Sequence, residues 1–220
     1  MDFKRITLFG GHYGSGKTNI ALNYAYRLRQ VCEKVAIADL DIVNPYFRTG
    51  DSAKDLKEKG IRLIISPYAG SNVDIPALPQ DIYAITDDKS LTCVIDVGGD
   101  DRGALALGRI APAILEENNY EMLFVINGNR PLTTTAEDTV EIMREIEYAG
   151  GIPFTAIVNN TNLGRETTAK LILDSAKYAK AVSERSGLPI KMTCAVGTVA
   201  EELRGKIPDL FPLKLQSKIE

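Results

Sequence analysis

Eight residues near the start, Gly11-His12-Tyr13-Gly14-Ser15-Gly16-Lys17-Thr18, restrict what this chain can fold into more than any other stretch. They spell G-x-x-x-x-G-K-[ST], and the context agrees with the spelling. Ile6-Thr7-Leu8-Phe9 before them is a short apolar strand, and Asn19 to Arg29 after them carries apolar residues at helical spacing. Such a strand–loop–helix unit curls backbone N–H groups inward toward phosphate oxygens. Side chains at Gly14 and Gly16 would crowd that approach, and the helix adds its positive N-terminal end. The motif makes Gly11, His12, Tyr13, Gly14, Ser15, Gly16, Lys17, Thr18 and Asn19 the expected nucleotide-binding stretch. Lys17 is expected on the β- and γ-phosphates and the Thr18 hydroxyl on Mg²⁺.

The rest of the chain reads as alternating strands and helices. Strands are expected at 35–39, 61–65, 91–96, 121–127, 154–159 and 189–194. Helices are expected at 52–59, 76–86, 101–118 (kinked or split by Pro112), 135–149 and 166–186, with a terminal turn at 200–204. Short continuous apolar strands between helices predict a three-layer α/β fold, a mostly parallel sheet covered on both faces. In 220 residues with no Pro/Gly/Ser linker, one domain over 1–220 is expected.

Ligands of open parallel sheets sit at the carboxyl ends of the strands, and the acids of this chain fall there. Asp39 and Asp41 follow the second strand in Asp39-Leu-Asp-Ile-Val-Asn-Pro45, and Asp96 ends the fourth in Val94-Ile-Asp-Val-Gly-Gly99. Carboxylates beside a phosphate loop suit Mg²⁺, which prefers hard oxygen ligands, and a group that positions an attacking water. Asp39, Asp96 and Thr18 are therefore the expected metal set, with Lys17 and Asp41 as the catalytic pair. Gly99 completes D-x-x-G, whose backbone could sense a terminal phosphate.

Together these motifs resemble the MinD/ParA and CobQ/CobB group of P-loop ATPases, over nearly the whole chain and best at 6–20, 35–45 and 92–99. The resemblance implies a slow ATPase using Mg·ATP, with Asp39 in the magnesium shell, Asp41 on the hydrolytic water, Asn44 near switch I and Asp96 as the Walker-B acid. It also implies a protein partner and a nucleotide-dependent homodimer. It places Asn159, in Ile157-Val-Asn-Asn-Thr-Asn162, on the base; Asn162, where a guanine site would want Asp, favours adenine. His12 stands where the family carries its signature lysine. It is shorter and carries less charge near neutrality, so a weaker phosphate contact is expected of it.

Other classes find less support. A net charge of -3 gives no broad attraction for nucleic acid. Cys32, Cys93 and Cys194 are too scattered for an iron–sulfur site. No apolar run approaches the ~18 residues of a membrane span, so a cytoplasmic protein is expected. The alternative on the same scaffold is a small-molecule synthetase resembling dethiobiotin synthetase or the cobyrinate amidases. Arg48, Arg102 and Arg130 are its scattered candidates for an anionic substrate, and Asn127-Gly-Asn-Arg-Pro131 reads as a loop.

Overall fold

The computed structural model describes residues 3–40, 52–65, 80–98 and 106–215. Its centre is an eight-stranded sheet made of β1 (Ile6–Gly10), β2 (Val35–Leu40), β3 (Ile61–Ile64), β4 (Thr92–Val97), β5 (Tyr120–Ile126), β6 (Ala156–Asn159), β7 (Ile190–Val196) and β8 (Leu210–Leu213). The order is β3-β2-β4-β1-β5-β6-β7-β8, and every pairing is parallel. The expected α/β class of P-loop nucleotide-binding proteins is the observed one.

Alternation along each strand sends successive side chains to opposite faces. Ile6, Leu8, Ala36, Ala38, Cys93 and Ile95 pack on one face against Ile114, Met143, Ile146, Ala179 and Val182, which come from the helices Ala111–Glu117, Ala136–Gly150 and Ala176–Ser186. Phe9, Val35, Ile37 and Val94 pack on the other against Ile20, Ala21, Tyr24, Ala25 and Leu28 of α1 (Lys17–Leu28). The strands are thus covered on both sides, which explains their unbroken apolar spelling.

The split expected of the 101–118 segment is found: its end is a separate helix, Ala111–Glu117, with Pro112 in the first turn, where a missing N–H costs nothing. Two departures from the sequence reading have physical causes. The 166–186 segment breaks into Ala169–Asp174 and Ala176–Ser186. At the break, the Ser175 hydroxyl donates to the Ile172 carbonyl (2.6 Å) and accepts from Asn159 Nδ2 (2.8 Å). The eighth strand has no counterpart among the strands expected from the sequence. It contains Pro212, tolerated because β8 is an edge strand paired only with β7. Among the described residues no helix is long and apolar enough to cross a membrane.

Candidate functional site

The loop between β1 and α1 sits at the carboxyl edge of the sheet. Gly11, Gly14 and Gly16 have φ of 147°, 74° and 92°, the left-handed region that favours glycine. A Cβ on Gly11 would lie 2.4 Å from the Val125 carbonyl oxygen, and one on Gly16 would lie 2.4 Å from Asn160 Nδ2. The curl therefore fits against β5 and the end of β6 only without those side chains. Ser15 N–H donates to the His12 carbonyl (3.2 Å), which also accepts from Lys17 Nζ (3.3 Å). Ser15, Lys17 and Thr18 are buried. The Ser15 hydroxyl and the Asn19 side-chain oxygen are buried with no hydrogen-bond partner among the described residues. Such groups carry a cost unless something binds there.

The two strand-end acids come together. Asp39 pairs in register with Asp96, and Asp96 with Phe9 at the end of β1. Their strand neighbours Ile37, Val94 and Phe9 face α1, so by alternation both carboxylates lie on the α1 face, the side on which Lys17 and Thr18 begin the helix. Asp96 is fully buried and Asp39 half-buried. Two carboxylates and a hydroxyl on one face form a donor set that fits Mg²⁺. Asp41 and Asn44, and the loop glycine Gly99, lie outside the described residues.

His12 turns its ring to the Tyr13 carbonyl (3.0 Å), and Tyr13 is half-exposed. Of the two neighbouring asparagines, Asn160 is the one that reaches the phosphate loop: its Nδ2 donates to the Ser15 carbonyl (2.7 Å). Asn159 is buried facing the other way. Its amide donates to Ser175, and its oxygen accepts from Thr161 Oγ1 (2.8 Å) and the Thr161 N–H (3.2 Å). Asn162 is bound into its own loop, donating to the Asn160 carbonyl (2.7 Å) and accepting from the Gly164 N–H (3.1 Å). Consecutive residues of one strand point to opposite faces, and nothing in a run of Asn says which one meets the loop. The signal that would find Asn160 is its place after Ile157 and Val158, on the alternating face that packs on α1.

From the sequence Arg130 is one of three scattered candidates for an anionic substrate. The structure sets its guanidinium against the phosphate loop: a Cβ on Gly14 would stand 3.4 Å from Arg130 Cζ and Nε. Beside its loop opens a pocket of about 430 Å³, lined by Asn129, Thr161, Thr168, Lys170, Asp174 and Tyr178 among others.

The fold is the α/β, parallel-sheet fold of P-loop proteins, and the likeness does not single out the MinD/ParA or CobQ/CobB branch. Similar solved structures are the cell division protein FtsY of Thermotoga maritima (TM-score 0.58, 18% identity, 89% of this chain and 62% of that one) and FtsY of Mycoplasma mycoides (0.55, 19%, 87% and 61%). A third is the signal recognition particle receptor FtsY of Elizabethkingia anophelis in complex with GDP (0.52, 16%, 99% and 62%). The chain spans less than two thirds of the length of these structures, and at such identity the likeness is one of fold. No protein-family model and no curated protein matches the sequence.

Proposed function

We propose that this chain binds a magnesium nucleoside triphosphate, ATP in preference to GTP, hydrolyses it slowly, and uses the change of state to act on a protein partner. One observation carries the reading: the register Phe9–Asp96–Asp39 brings two carboxylates to the face on which the glycine loop, Lys17 and Thr18 begin α1. The loop N–H groups and Lys17 take the phosphates. Thr18, Asp39 and Asp96 would hold Mg²⁺, which when bound draws charge off the phosphate oxygens. Asp41 is assigned to hold the water. The water oxygen bonds to the γ-phosphorus as the bond to the β–γ bridging oxygen breaks, so ADP and inorganic phosphate leave and the water's protons pass to phosphate and solvent.

One thing favours adenine: the segment Asn159-Asn-Thr-Asn-Leu-Gly164 holds no acid to accept from a guanine ring. With Asn159 engaged by Ser175 and Thr161, Asn160 is the better assignment for the amide beside the base. The pocket near Asn129 and Thr161 favours a synthetase transferring the γ-phosphoryl group to a small acceptor, as does His12 in place of the signature lysine.

Calorimetry with Mg·ATP and Mg·GTP tests the reading. Parent protein should bind ATP more tightly, Lys17→Ala should bind neither, and Asp41→Ala should bind but not turn over. No heat with either nucleotide overturns the proposal, while tighter GTP binding overturns the base assignment alone. ADP production stimulated by a metabolite and not by a protein would move the assignment to the synthetase.

A further inference from the structure

Sheet order gives the phosphate loop two unlike flanks. On the β4 and β2 side stand Asp96 and Asp39; on the β5 side stands the loop Asn127–Thr133, which carries Arg130. That loop is braced. Asn127 accepts through its carbonyl from Arg130 N–H (3.1 Å) and Thr133 Oγ1 (2.8 Å), and through its side chain from Asn129 N–H (3.0 Å) and Asn162 N–H (3.3 Å). Arg130 is extended (φ -97°, ψ 139°), as a residue before proline prefers, and its carbonyl accepts from Thr133 N–H (3.0 Å). A Cβ on Gly128 would come 3.0 Å from the Tyr178 ring, so a glycine lets the loop seat on the helix Ala176–Ser186.

The guanidinium that this bracing presents lies over Gly14. A Cβ there would be 3.4 Å from Cζ and Nε and 3.7 Å from Nη1, ordinary van der Waals contact, so the guanidinium stands directly against the loop. Among the described residues no carboxylate or carbonyl accepts from the Arg130 side chain, although the chain's other arginines near an acid, Arg5, Arg62, Arg144, Arg185 and Arg204, are paired. A permanent cation held against a curl of N–H groups, with its donors unspent, is arranged for an anion.

We infer that Arg130 is a phosphate-contacting arginine supplied in cis, bridging from the β5 side to the β- and γ-phosphates of the nucleotide while the carboxylates hold the counter-ion on the opposite flank. The inference rests on the nucleotide-binding reading above and goes beyond it, because neither the glycine motif nor the acids call for a cation after the fifth strand. Guanidinium–phosphate contacts are charge-assisted and geometrically directed, and an arginine at a transferring phosphate also steadies the charge that develops there.

The test is a fluorescence titration of the parent, Arg130→Ala and Arg130→Lys with magnesium nucleoside tri-, di- and monophosphates of one base. Arg130→Ala should weaken triphosphate and diphosphate binding about 10-fold or more, the size of a lost charged hydrogen bond, and leave the monophosphate within about twofold. Arg130→Lys should recover part of the loss, and the ligand-free melting temperatures of all three should coincide. Equal affinities for parent and Arg130→Ala, or equal weakening toward all three ligands, overturns the inference while the parent's own binding leaves the nucleotide reading standing. A parent that takes up no nucleotide overturns both.

Discussion

The two ends of the sheet are built on opposite plans. At the amino edge polar groups mostly find one another, the buried Arg29 Nε being the exception among the described residues. Glu121, at the start of β5, accepts from Thr7 Oγ1 (3.2 Å), the Tyr24 hydroxyl (2.8 Å) and Lys191. Arg5 pairs with Glu117 and donates to the carbonyls of Ile85 (3.0 Å) and Leu91 (2.9 Å), while Lys89 joins Glu117 at 2.7 Å. Burial, with Glu121 alongside, raises the Tyr24 phenol well above its usual range and keeps it a donor. At the carboxyl edge the Ser15 hydroxyl, the Asn19 oxygen and the Arg130 guanidinium have no partner among the described residues. Polar groups matched inside the protein hold the fold, and groups left unmatched at the opposite end mark where something else is to be held.

That contrast can be broken by experiment. Glu121→Ala strands the Tyr24 hydroxyl and Lys191 and should lower unfolding free energy by about 3 kcal/mol in urea melts, with nucleotide affinity unchanged. Lys17→Ala should do the reverse: the stabilisation of about 2.7 kcal/mol expected with nucleotide at 100 times its Kd should vanish, with little change in the ligand-free melt. A large stability loss in Lys17→Ala, or weakened binding in Glu121→Ala, would erase the division of labour.

Glu117→Gln sharpens the amino-edge half and should cost about 1–2 kcal/mol at neutral pH. The Arg5 hydrogen bonds hold the Glu117 carboxyl down from 4.5 to about 2. A depressed carboxylate stabilises the fold fully above its unfolded value and loses that contribution as pH falls through the folded one. The gap between parent and variant melts should therefore close between pH 4.5 and about 2; a gap that persists would mean the charge is not what holds Arg5. The smallest effect is expected of Asn160→Ala, which frees the Ser15 carbonyl and should weaken nucleotide binding several-fold, about 1 kcal/mol, while stability shifts no more than that.

Much of this was legible in the sequence because the rules involved are local. A glycine-rich loop between an apolar strand and an amphipathic helix carries its own context. Asp39 and Asp96 each end an apolar run, so the convergence of strand ends follows from the parallel sheet they imply. What could not be read depends on contacts between distant segments. Arg130 meets Gly14 only because β5 lies beside β1. The choice of Asn160 over Asn159 turns on which face a single residue takes. Ser175 interrupts a helix whose pattern runs on because its hydroxyl meets Asn159, sixteen residues earlier. The strand Leu210–Leu213 hides behind a proline and has only one neighbour to pair with.

The position of β1 between β4 and β5 bears on how the chain is made. Thr7 and Glu121, which meet across β1 and β5, are 114 residues apart. On a ribosome the glycine loop is made well before β4 and β5, the strands that give it shape. Pairings of such long range are slow to close. The glycine loop thus waits on strands made long after it, and nucleotide meets no formed site in the nascent protein until the fifth strand has left the exit tunnel.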